Sequence, residues 1–157
     1  MVRIVEAPEI YSNPSKPTLF LAGGITNCPD WQKELINILI QTKYQGEFIQ
    51  DLIIYNPRRR NFPINIPGES ERQITWEYDY LKSSDIISFW FSRGSLNPIV
   101  LYELGMWGNS SVTPIVIGMD PEYERQNDVI IQTRLARPAI RIVYSLKDMA
   151  DEIVKMI

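Results

Sequence analysis

Asp85-Ile86-Ile87-Ser88-Phe89-Trp90-Phe91, with the turn-rich Ser92 to Pro98 and the apolar run from Ile99 to Trp107 behind it, is the stretch on which the fold turns. Residues 86–91 are apolar apart from one Ser, so they read as a strand buried on both faces rather than a half-exposed, alternating one. The run from Ile99 to Trp107 predicts a helix returning along the sheet. Upstream, residues 70–83 predict a helix with Ile74, Tyr78 and Leu81 on one side. Before it, Leu52-Ile53-Ile54-Tyr55 is a second apolar strand closed by Asn56-Pro57, and a long polar, Pro-rich loop runs from Arg58 to Glu69. Loops of that length in compact domains are often functional. Further back, Thr18-Leu19-Phe20-Leu21-Ala22 reads as a buried strand ending at Gly23-Gly24. Asn27, Pro29 and Asp30 then supply helix-start chemistry for Trp31, Leu35, Ile38 and Leu39.

Downstream, Thr113 to Gly118 predicts a fourth strand, Pro121 to Ala136 a partly helical segment, and Ala139 to Tyr144 a fifth strand. Ser145 caps a last helix whose Leu146, Met149, Ile153 and Met156 recur at helical spacing. Residues 1–16, broken by Pro8 and Pro14, read as an N-terminal arm packed on the domain or on a neighbour. Five apolar strands alternating with helices imply a parallel sheet covered on both faces. Right-handed crossovers make it a flavodoxin-like, doubly wound three-layer α/β sandwich with a five-stranded sheet, a single domain over 1–157.

Composition narrows the chemistry. The 157 residues are 45% hydrophobic and 22% charged, with a formal net charge of −3, which argues against a nucleic acid polymer as partner. Apolar runs are far too short for a membrane span, and no targeting segment stands out, so the expected location is cytoplasmic. With no His and one Cys, there is no imidazole base, no Cys-His pair and no multi-Cys metal site; neither metal nor other cofactor is expected. Acid–base and nucleophilic work falls mainly to carboxylates.

Ligands of such sheets bind beyond the carboxyl ends of the strands. There, Gly23 and Gly24 either let backbone approach a ligand or simply make a tight turn. Arg58, with Arg59 and Arg60, either recognises an anion or base or forms salt bridges in a solvated loop. Glu77 and Asp79, two residues apart, cannot share a helical face, so one faces the site and the other water. Asp85, opening the strand, suits capping or pairing with a backbone amide. Glu103 is the leading candidate: an acid amid Ile99-Val100-Leu101-Tyr102-Glu103-Leu104-Gly105-Met106-Trp107, where an unpaired carboxylate is costly.

Three elements together resemble the nucleoside 2-deoxyribosyltransferase superfamily, in its "nucleoside 2-deoxyribosyltransferase-like" branch. They are Phe20-Leu21-Ala22-Gly23-Gly24-Ile25, Asn56-Pro57-Arg58, and Trp76-Glu77 with Ser84-Asp85-Ile86-Ile87 and Tyr102-Glu103-Leu104-Gly105. The resemblance runs from Thr18 to Leu135 and implies a flavodoxin-like fold. It places Glu103 at the nucleophile, and Glu77, or Asp79 if a two-residue gap is allowed, at the helper carboxylate. It implies N-glycosyl transfer on nucleosides or nucleotides through a covalent Glu103 ester, with nucleoside hydrolysis or ligand binding without turnover as alternatives. Asn97 stands at the base-binding position, where the family carries Asp; an Asn cannot deliver a proton. Arg58 is implied to read the base or a 5′-phosphate, and Tyr102 to line the pocket. The resemblance further implies a homodimer or larger homo-oligomer in which Asn127 or Asp128 completes a neighbour's site.

Overall fold

The computed structural model describes residues 1–12, 14–109 and 112–157. In chain order these form β1 (Arg3–Glu6), β2 (Thr18–Gly23), α1 (Trp31–Gln41), β3 (Lys43–Tyr44), β4 (Glu47–Phe48), β5 (Ile53–Asn56) and α2 (Glu69–Ser83). Then follow β6 (Ile86–Phe91), α3 (Pro98–Trp107), β7 (Ile115–Met119), α4 (Gln126–Ala136), β8 (Ile142–Val143) and α5 (Leu146–Ile153). Six strands make one parallel sheet in the order β1-β5-β2-β6-β7-β8. Five helices flank it in a flavodoxin-like three-layer sandwich, as the strand–helix alternation predicts.

The sheet has one strand more than the five expected. The extra one lies in the N-terminal arm, where Arg3 to Glu6 run parallel to Ile53 to Asn56. Only Val5 of these four residues is fully buried, so an edge strand of this kind leaves no apolar run to read. A small hairpin, β3 with β4, is also absent from the sequence reading. It turns through Gln45 (φ 52°) and Gly46 (φ 90°), both in the left-handed region that two-residue hairpin turns require.

Strand periodicity sorts the core into two layers. Leu19, Leu21, Ile86, Trp90 and Val116 face α1 and α5, meeting Trp31, Leu35, Leu39, Met149 and Ile153. Phe20, Ala22, Ile87, Phe89, Phe91 and Ile117 face the opposite layer, with Trp76 and Tyr80 of α2, Val100 of α3 and Val129 of α4. At the amino ends, Asp85 accepts hydrogen bonds from Thr18 N and Oγ1 at 2.9 and 2.8 Å, tying β2 to β6 as the capping reading expects. Their carboxyl ends form the topological switch point, because β5 follows β2 on one side while β7 follows β6 on the other. No helix among the described residues is long and apolar enough to cross a membrane.

Candidate functional site

A cleft of about 480 Å³ opens at the carboxyl ends of β2 and β6, walled by α2, α3 and the loop after β5. Its floor begins at Gly23 and Gly24, and both glycines are required by packing. A Cβ on Gly23 would overlap the Trp31 ring and stand 2.8 Å from the Trp90 carbonyl oxygen. One on Gly24 would overlap Asn97 Oδ1 and stand 2.6 Å from Cys28 Sγ. Trp31 Nε1 donates to the Gly24 carbonyl at 3.0 Å and fixes the turn.

Asn97 ends the β6–α3 loop in the left-handed conformation (φ 50°), which Asn tolerates better than most residues, and Pro98 starts α3 behind it. The side chain is 3% exposed. Its Nδ2 donates to the carbonyls of Ser92 (3.0 Å) and Ser95 (2.9 Å), and Oδ1 accepts from Cys28 Sγ at 3.7 Å. Tyr123 holds the same loop from below, its hydroxyl donating to the Leu96 carbonyl at 2.9 Å. Both amide hydrogens of Asn97 are therefore committed to the loop.

Across this floor stand two carboxylates. Glu77 lines the cleft from α2 and Glu103 from α3, among Phe20, Ala22, Ile74, Ile99 and Val100. Burial and the negative charge of Glu77 push the Glu103 carboxyl up to about 8. Burial also raises Glu77, against the pull of a hydrogen bond from Gln73 and of the Arg59 charge. Gln73 Nε2 donates to Glu77 Oε1 at 2.7 Å and to the Pro57 carbonyl at 2.8 Å. A pair of acids driven away from ordinary values in a concave, largely apolar site is an arrangement suited to catalysis.

The other predicted positions lie elsewhere. Asp79 lines a separate cavity of about 550 Å³ between α2 and the arm, on the far side of the helix from Glu77. Arg58 is absent from the cleft wall because its guanidinium is already bonded: to the carbonyls of Pro29 (2.8 Å) and Cys28 (3.1 Å), and to Gln32 Oε1 (3.2 Å). It braces the approach to α1. Tyr102 is 68% exposed and outside the cleft lining. Asn127 and Asp128 lie in the first turn of α4; Asn127 is exposed, and Asp128 pairs with Arg125 at 3.1 Å beside a cavity of about 450 Å³ between α3 and α4. Within one chain neither reaches Glu103's cleft.

Phe62, Ser70 and Gln73 line the cleft without having been singled out. Ser70, Gln73 and Glu77 recur at three- and four-residue spacing and hence on one helical face, a pattern present in the sequence; Phe62, in the loop after β5, carries no such signal. The family model described as "Nucleoside 2-deoxyribosyltransferase like" matches residues 16–123, well over half of the chain and including every cleft residue named above. No curated protein matches it.

Proposed function

Since the chain belongs to the nucleoside 2-deoxyribosyltransferase-like family, we propose that it transfers the sugar of a nucleoside between bases, with Glu103 as nucleophile. The observation that carries this reading is the Glu77–Glu103 pair at the switch point of the sheet. A Glu103 carboxylate oxygen bonds to C1′ as the C1′–N bond breaks, and the bonding pair leaves with the base. Charge at C1′ builds as in an oxocarbenium ion, and a second base or water then displaces Glu103 from the other face, so configuration is retained. Glu77 faces the developing positive charge and accepts from the sugar hydroxyls. The departing base takes its proton from water, because the Asn97 amide is no proton donor and its hydrogens are already bonded to the Ser92 and Ser95 carbonyls.

The preferred substrate is an uncharged nucleoside. Among the described residues lining the cleft there are two acids and no Lys or Arg, so a 5′-phosphate would meet like charge without a partner. Arg58, the obvious phosphate reader, is bonded to the loop before α1.

The test is chromatographic: ribo- and deoxyribonucleosides and their 5′-monophosphates, each with and without an added base. Base exchange confined to the unphosphorylated substrates is expected; base release that needs no acceptor would make the protein a hydrolase. No cleavage across the panel would overturn the enzyme reading in favour of binding. The nucleophile must be ionised, so kcat/KM should climb with pH and level off above about 8. A profile flat from pH 5 to 9 would remove Glu103 from the mechanism.

The assembly proposed is a homodimer or larger homo-oligomer of this one-domain chain. Ile74 and Tyr78 on α2 and Ile99, Tyr102 and Met106 on α3 are exposed, joined by the Tyr78–Trp107 ring contact with centroids 5.4 Å apart. So large an apolar face beside the cleft favours a protein partner. Light scattering of the eluting protein should give a multimer, and Tyr78→Glu with Met106→Glu should shift it towards monomer. A wild-type monomer at concentrations of about 10 μM would refute the assembly.

A further inference from the structure

Arg59 is the least satisfied charge in the neighbourhood of the cleft. Its side chain is 7% exposed and makes one ion pair, Nη1 to Glu69 Oε2 at 2.6 Å. Nε and Nη2 are buried without a hydrogen-bond partner, as is Gln73 Oε1. The guanidinium carbon lies 5.3 Å from the centre of the Phe62 ring, and Phe62 lines the cleft. A buried cation with most of its donors unspent is costly, so its retention calls for a counter-charge beyond the one contact. Glu69 is shared with Arg72, whose Nη1 stands 3.2 Å from its other oxygen. The next carboxylate on that face of α2 is Glu77, two turns on, linked back to the Arg59 loop through Gln73 and the Pro57 carbonyl.

We propose that Arg59 is a positioning residue of this site: wedged between Phe62 and Glu69, it clamps the loop after β5 onto α2 and supplies the positive charge against which Glu77 stands in the cleft wall. The inference rests on the reading of Glu77 and Glu103 as the working pair. Arg59 touches no reacting atom; it acts through Glu77 and Phe62. The charged groups that bear on Glu77 are Glu103 from α3, Arg59 from the loop after β5, and Glu69, through Arg59, on α2 itself. Burial opposes ionisation of Glu77, the Gln73 hydrogen bond and the Arg59 charge favour it, and the Glu77 charge in turn holds the proton on Glu103. The cation thus makes the two carboxylates unequal, Glu103 being the one that holds the proton in the resting protein.

The experiment is carboxyl ¹³C NMR titration of the resting full-length protein labelled at Glu, with the Glu77 signal assigned by its loss in Glu77→Gln. Arg59→Met should raise the Glu77 midpoint by about one pH unit, and Arg59→Lys should bring it back to within about half a unit of wild type. Folded Arg59→Met with an unmoved midpoint overturns the proposal, even if its melting temperature falls, because a purely structural residue would change stability alone. Should Arg59→Met fail to fold, Glu69→Gln keeps the cation and removes its present partner. The Glu77 midpoint should then fall, and one that stays or rises overturns the proposal. Because the titration needs no turnover, an inactive protein would sink the transferase reading and leave this result standing by itself.

Discussion

Glu103→Gln is expected to lower turnover by about a thousandfold or more while making the folded protein more stable at pH 8. The first effect follows from the nucleophile: an amide oxygen is too weak to displace a base from C1′, and no other described acid but Glu77 lines the cleft. The second follows from linkage. The Glu103 carboxyl is raised from an ordinary 4.5 to about 8 by burial and by Glu77. Between those values the unfolded chain ionises while the folded one holds its proton, so the unfolded state gains as pH rises. The handicap is absent below about pH 4.5 and complete above about 8. Because the cleft is open to water, the full shift overstates the energy, and a gain of about 2 kcal/mol at pH 8 is the expected size. For a domain of this length that is about 4–8 °C in melting temperature. Melting curves of wild type and variant should coincide near pH 4.5 and separate by pH 8. Curves that stay superimposed would place Glu103 in ordinary solvent, and a variant with more than about a tenth of wild-type turnover would not have lost its nucleophile.

Asn97→Asp carries the largest expected loss of stability, about 3 kcal/mol at neutral pH. Asn97 is buried, and its Nδ2 donates to the Ser92 and Ser95 carbonyls together. An ionised carboxylate would set a negative oxygen against both carbonyls. A protonated one has a single hydrogen to offer two acceptors. The folded-state carboxyl would therefore be raised well above its unfolded value, and the penalty grows as pH climbs between the two. Urea unfolding at pH 5 and pH 7 tests this: the variant should lose more at pH 7. A loss below about 0.5 kcal/mol at both would show that the loop is not held by the amide.

Much of the architecture was legible because burial on both faces leaves unbroken apolar runs. Residues 86–91 and Thr18 to Ala22 announce central strands in that way, and the glycines after β2 mark the turn. β1 was not legible, since a four-residue edge strand that buries Val5 alone has no periodicity to show. β8, predicted over Ala139 to Tyr144, shrinks to Ile142–Val143 because it lies at the opposite edge, paired on one side only. Glu103 stood out as an acid in an apolar helix. Which of Glu77 and Asp79 faced it did not, because α2 has apolar residues on two sides, Trp76, Tyr80 and Leu81 against the sheet and Ile74 and Tyr78 exposed on the side of α3. Arg58 misled for a related reason: a run of three Arg says that cations are present, not whether carbonyls of another loop will occupy them.

Residue order along the chain thus determined the strand–helix alternation, the parallel sheet, the exclusion of His and multi-Cys chemistry and the prominence of Glu103. These depend on local periodicity and composition, which any short window contains. Tertiary structure alone decided that Gly24, Gln73, Glu77, Asn97 and Glu103 gather around one cleft, that Arg58 is bonded and Arg59 is largely unspent. Those outcomes depend on strand order, which brings β2 beside β6 rather than beside β1, and on which way each side chain leaves its helix. The energies that select them act between segments tens of residues apart, so no local pattern records them.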